Sequence, residues 1–152
     1  MKKYLVVSTE DELTLPWAQA NDCYETIVTG VGATNVIRAL KDLPRDIDIL
    51  NVGYCGSNRY PIGAVVWIKE CRLWHPNVEF QEMTFTLDSP CSEAVCFTAG
   101  DFVLDGEELP GHAVVDMELA HIAAFGFSRL RAVKYVSDNL NLDQYNKTIE
   151  KQ

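Results

Sequence analysis

"VVDMELAHIAAFGF", residues 114–127, decides how the fold is read. It continues a short apolar run, Ala113-Val114-Val115, of the kind that forms a buried strand. From Glu118 onward the apolar residues Leu119, Ile122, Ala123 and Phe127 recur at helical spacing. The pattern predicts a strand over Ala113–Val115 and a helix over Glu118–Phe127, with Asp116, Met117 and Glu118 at the junction. Acids at such a junction have two readings. Asp116 caps the helix and Glu118 decorates its first turn, complementing unpaired N–H groups and the dipole. Alternatively, Glu118 stands at the rim of a sheet and faces a ligand.

Working outward, further strands are predicted over Lys3–Ser8, Tyr24–Thr29, Ile47–Val52, Gly63–Leu73, Met83–Leu87, Val95–Thr98 and Leu130–Val136. Helical spacing occupies Glu12–Gln19, Thr34–Leu43 (stopping before Pro44) and Leu142–Glu150. Strands alternating with helices predict an α/β fold: a mixed, mostly parallel sheet flanked by helices, in one domain over residues 1–152. In such sheets ligands bind beyond the carboxyl ends of the strands. Those ends gather glycines and acids at Ser8–Glu12, Gly30–Gly32, Gly53–Gly56, Ala99–Asp101, Asp116–Glu118 and Ser137–Asp138.

Composition narrows the function. The net charge is −9 with no basic run, which argues against nucleic acid or an anionic membrane as partner. Apolar stretches are too short to span a bilayer, and Tyr4–Val7 is too short for a signal-peptide core, so the expectation is a cytoplasmic protein. The five cysteines are irregularly spaced in mostly apolar stretches, as reduced, buried thiols are. Cys71 and His75 lack a second ligand pair, so no metal site is expected; His112 and His121 read as structural or solvent-facing. "TGVGATN" lacks the full dinucleotide fingerprint. More informative are three carboxylates at three strand ends: Glu12, Glu118 and Asp138. Together they suit chemistry that needs a general base, a hydroxyl-binding acceptor and a general acid.

Four separated pieces resemble, in order, the nucleoside phosphorylase/nucleosidase family. "MKKYLVVSTEDEL" resembles the opening strand and acidic turn of its nucleosidases, and "TGVGATNVIRAL" its glycine turn and helix. "LNVGYCGSNRYPIGAVVWI" resembles the central Gly-x-x-Gly loop and the long strand after it. "VVDMELAHIAAFGFSRLRAVKYVSD" resembles the Met-Glu ribose site and the Ser-Asp acid, and "FTAGDFV" is a fifth match. The pattern is nearest to the methylthioadenosine/adenosylhomocysteine nucleosidases, in a shortened, truncated form compressed between Glu12 and Thr29 and between Trp74 and Val95.

The resemblance implies a purine nucleosidase, which hydrolyses the N-glycosidic bond without a cofactor. Asp138, presented by Ser137, would protonate the purine N7. Glu12 would activate water, with Glu10 and Asp11 beside it as alternatives. Met117 would pack on the ribose and Glu118 would bind its hydroxyls. Phe102 or Val103 would lie against the base, and Gly53, Tyr54, Cys55 and Gly56 would form the central loop, with Tyr54 replacing a small residue. A phosphorylase would need cations for its phosphate dianion. Here the N-terminal loop is acidic, Asn51 precedes Val52-Gly53, and the first arginine is Arg38, so water is the favoured nucleophile. A purine nucleoside phosphorylase and a catalytically degenerate nucleoside-binding homologue are the alternatives. The resemblance further implies a homodimer or larger homo-oligomer.

Overall fold

Asp48–Gly56 forms a nine-residue strand, β3, that organises the whole sheet. In the computed structural model, residues 1–74, 84–90, 94–100 and 111–140 are described. β1 (Lys3–Val7) precedes a 3-10 helix (Glu10–Thr14), α1 (Pro16–Gln19), β2 (Glu25–Val28) and α2 (Ala33–Leu40). After β3 come β4 (Val65–Trp74), β5 (Thr84–Thr86), β6 (Ala94–Ala99), β7 (Ala113–Asp116), α3 (Leu119–Ala123) and β8 (Arg129–Asp138).

β3 lies between β1 and β8, parallel to both, and β2 extends the sheet beyond β1. β8 runs antiparallel to β4, which is parallel to β6, and β6 is parallel to β7. β7 returns to β3 in an antiparallel contact at one pair, Gly56 and Val115. Five strands, β3-β7-β6-β4-β8, thus close into a barrel-like ring, and β5 adds antiparallel to β4.

This α/β fold departs from the expected helix-flanked, mostly parallel sheet in closing on itself and in having few, short helices among the described residues. Closure depends on long-range pairing, which strand periodicity does not encode. Apolar residues fill both sides of the ring. One cluster joins Cys55, Val66, Ile68, Cys96, Val114 and Val136 to Leu119 and Ala120 of α3. A second packs Leu50, Val52, Tyr54 and Val133 beneath Leu15 and Ala18. A third sets Val36 and Leu40 of α2 against Val6, Ile49 and Ile122.

Several expected boundaries shift for local reasons. The helix expected over Glu12–Gln19 breaks at Leu15, whose ψ of 142° is extended, because a residue before proline avoids the helical region. α3 ends at Ala123 rather than Phe127, since the chain turns through Gly126 at φ +74°. Gly53–Gly56, expected as a loop, forms the last part of β3. The expected terminal helix Leu142–Glu150 lies outside the described residues. No described helix is long and apolar enough to cross a membrane.

Candidate active site

The 3-10 helix brings Glu12 back over the end of β1. Glu12 Oε1 accepts hydrogen bonds from the Ser8 backbone N–H and Oγ, both at 2.7 Å, and from the Thr9 N–H at 3.3 Å. Glu12 Oε2 accepts the Tyr54 N–H at 2.8 Å, tying the turn after β1 to β3. The carboxylate is buried, and only a glycine fits beside it. A Cβ on Gly53 would lie 2.8 Å from Glu12 Oε2 and 3.1 Å from Lys134 Nζ.

A bulge aims Asp138. Cys55 pairs with Val136, but Gly56 pairs with Asp138, so Ser137 is the extra residue in β8. Ser137 Oγ donates to Asp138 Oδ1 at 2.9 Å and lies 3.3 Å from the Cys55 carbonyl. The Leu140 N–H donates to Asp138 Oδ2 at 2.8 Å, with Leu140 at φ +69°. A Cβ on Gly56 would meet Leu140 Cδ2 at 2.8 Å and Asp138 Oδ2 at 3.1 Å.

The two acids of the 114–127 junction do different things. Asp116 Oδ2 accepts the Leu119 N–H at 2.8 Å, as a helix-capping acid does. Glu118 faces the cleft, and its Oε2 accepts the Gly32 N–H from the turn after β2 at 2.9 Å. Burial first, then the charge of Asp116, pushes the Glu118 carboxyl up to about 7; Lys134 and the Gly32 N–H only partly oppose this.

Behind these acids lies a residue that the sequence reading missed. Lys134 of β8 is 1% exposed, and its Nζ stands 3.0 Å from Asp116 Oδ2. Burial alone would lower its pKa, but Asp116 and the more distant Cys96, Glu118 and Glu12 raise it overall. Burial would raise the Asp116 carboxyl, yet Lys134, Thr98 and the Leu119 N–H bring it below the ordinary range. A lysine within an imperfectly alternating strand reads by default as exposed. The available signal was its place between Ala132 and Val136, two apolar residues on the same strand face.

One cleft, enclosing about 560 Å³ with its open mouth included, gathers most of the expected residues. Glu12 enters from the 3-10 helix, Tyr54, Cys55 and Gly56 from β3, and Ser137 and Asp138 from β8. Met117 and Glu118 enter after β7. Gly53 stands behind Glu12 rather than in the lining. Phe102 and Val103 lie outside the described residues. Ser8, Val31 and Asp116, from the strand-end stretches expected to meet a ligand, also line the cleft, as do Val115 and Leu140, which were unforeseen from sequence. Burial pushes the Cys55 thiol well up, so this lining cysteine is no thiolate nucleophile.

No family model and no curated protein matches the sequence. Solved structures do match the fold. A variant of the nucleosidase MTAN from Chlamydia trachomatis aligns at TM-score 0.74 and 17% identity, over 99% of this chain and 91% of that one. The same enzyme bound to adenine aligns at TM-score 0.73 and 16% identity, with the same coverage. A Helicobacter pylori MTAN variant with 5′-methylthioadenosine in its active site aligns at TM-score 0.73 and 13% identity, over 99% and 92%. The chain has the fold of the methylthioadenosine/S-adenosylhomocysteine nucleosidases.

Proposed function

We propose that the chain is a purine nucleosidase that hydrolyses the N-glycosidic bond with water as nucleophile. The observation that carries this reading is the cradle around Glu12. Three backbone N–H groups and the Ser8 hydroxyl, the kind of donors that would hold a phosphate, already bind a carboxylate. A phosphate dianion there would meet that negative charge and spent donors, whereas water would meet an acceptor. Glu12 Oε2 has one described donor, which leaves a lone pair for a water proton.

In the proposed reaction, Glu12 takes a proton as the water oxygen bonds to C1′ of the ribose. The C1′–N9 bond breaks through an oxocarbenium-like state, and Asp138 passes its proton to the purine N7. The leaving purine thus departs neutral. Glu118 binds ribose hydroxyls, using Oε1, which has no partner among the described residues, while Gly32 holds Oε2. Met117 packs on the sugar, Ser137 presents Asp138, and Phe102 or Val103 contacts the base. The substrate is a small nucleoside of the adenine type, which the bound adenine and 5′-methylthioadenosine of the fold neighbours support.

The proposal includes a cytoplasmic homodimer. Exposed Trp17, Ile62 and Val65, with Trp67 packed edge-on against Trp17 at 5.1 Å, support an apolar contact surface. Light scattering at micromolar concentration should return twice the chain mass, and a monomer would refute this part.

Product analysis in phosphate buffer tests the nucleophile. Free base with free sugar is expected; sugar 1-phosphate would instead identify a phosphorylase. Nucleoside-dependent thermal stabilisation without turnover would identify a degenerate binding protein.

A further inference from the structure

The Lys134–Asp116 pair is the one ionised pair found fully inside the ring among the described residues, and the proposed chemistry does not use it. Its geometry is specific. Asp116 Oδ1 accepts the Thr98 hydroxyl at 2.7 Å, and Oδ2 accepts both the Leu119 N–H and the Lys134 ammonium. Thr98 Oγ1 in turn accepts the Ala120 N–H at 2.9 Å, so β6, β7, β8 and α3 are locked around one carboxylate. Both Asp116 oxygens are taken by protein donors, so ligand contact is not what the carboxylate serves.

The neighbours of Lys134 give the pair its meaning. Glu12 comes from the 3-10 helix and Glu118 from the turn after β7, and both act on the ammonium through space. Among the described residues, the other titratable groups near the pair are the Cys55, Cys71 and Cys96 thiols on β3, β4 and β6, His121 on α3, and Asp138, which ends β8 and acts on Cys55. Burial raises the three thiols and lowers the imidazole, so none of the four competes as a charge near neutral pH. Among the described residues, the three acids Glu12, Asp116 and Glu118 therefore share one ammonium. Lys134 is in ion-pair contact with Asp116 alone of the three.

We propose that Asp116 is a positioning residue that holds Lys134 to itself and so denies that charge to Glu12 and Glu118. An unpaired buried ammonium, with three donors and a flexible stem, would swing to the nearest remaining carboxylate. If it moved to Glu118, it would keep that acid ionised and draw it off the ribose position. If it moved to Glu12, it would occupy the lone pair meant for water. The consequence for turnover rests on the nucleosidase reading, but the charge assignment does not.

The test is therefore spectroscopic. The Glu118 carboxyl is followed by ¹³C NMR from pH 4 to 9 in the full-length protein, assigned by its loss in Glu118→Gln. In Asp116→Asn its midpoint should fall by a unit or more, since an opposing charge is lost and an ammonium released. In Asp116→Asn/Lys134→Met, which leaves no unpaired buried charge, the midpoint should stand above that of Asp116→Asn. Should Asp116→Asn not fold, the unaltered protein still decides. The scalar coupling from Lys134 ¹⁵Nζ to the Asp116 carboxyl ¹³C across their hydrogen bond should persist while Glu118 titrates, because Asp116 retains the ammonium. Loss of that coupling at the Glu118 midpoint, or an unchanged midpoint in folded Asp116→Asn, overturns the inference. Failure to release purine would count against the nucleosidase reading only.

Discussion

Glu118 Oε2 accepts the backbone N–H of Gly32 at 2.9 Å, joining two turns that lie 86 residues apart. This bond ties the glycine turn after β2 to the start of α3, and it reaches a carboxyl that burial raises to about 7 from an ordinary 4.5. Between those two values the folded chain holds a proton that the unfolded chain has released. Stability therefore falls as pH rises through that window, and above it the full cost is about 3 kcal/mol. Glu118→Gln keeps a carbonyl for the Gly32 N–H but removes the titration. The drop in Tm between pH 5 and pH 8 should be smaller in the variant than in the parent. An identical drop would show that Glu118 ionises without cost.

Gly53 is predicted to be intolerant of even a methyl group, although its backbone conformation is ordinary. The added carbon would press on Glu12 Oε2 and Lys134 Nζ, both held by other partners. Gly53→Ala should cost roughly 1–3 kcal/mol, as overpacking of a filled core does. It should lower purine release further than the stability loss alone explains, because Glu12 must move. Urea denaturation and turnover on the same preparation separate the two effects.

Much of this arrangement was legible in the chain, and the reasons for the gaps are specific. The strand around Val114 was readable because apolar residues run unbroken into acids at a change of period. The approach of Glu12, Glu118 and Asp138 followed from placing each at a strand end. Ring closure was not readable, since Gly56 meets Val115 through a pairing that joins residues nearly sixty positions apart. The bulge at Ser137 was hidden for the same reason: it exists only relative to β3. Lys134 was missed because a charge is buried at little cost only beside its partner, and Asp116 becomes that partner only in the fold.

Glu12 should be the residue whose amide variant is costly twice over. Its carboxylate satisfies three backbone N–H groups and a hydroxyl, and an amide would turn an NH₂ toward at least one of them. Glu12→Gln should lose about 1–3 kcal/mol of stability from the donor left unsatisfied. Purine release should fall roughly 10²–10⁴-fold, as it does when a general base is removed. A variant that melts early yet turns over at the parental rate would leave Glu12 a purely structural acid.

Asp138 bears most directly on the central claim. The decisive measurement is purine release from 5′-methylthioadenosine and adenosine in phosphate-free buffer, by the parent chain and by Asp138→Asn, with melting curves for both. The account predicts free base from the parent without phosphate, and a kcat lower by roughly 10²–10⁴-fold in Asp138→Asn with much smaller changes in Tm and nucleoside binding. No release by the parent, release only when phosphate is added, or an Asp138→Asn variant as fast as the parent would contradict it.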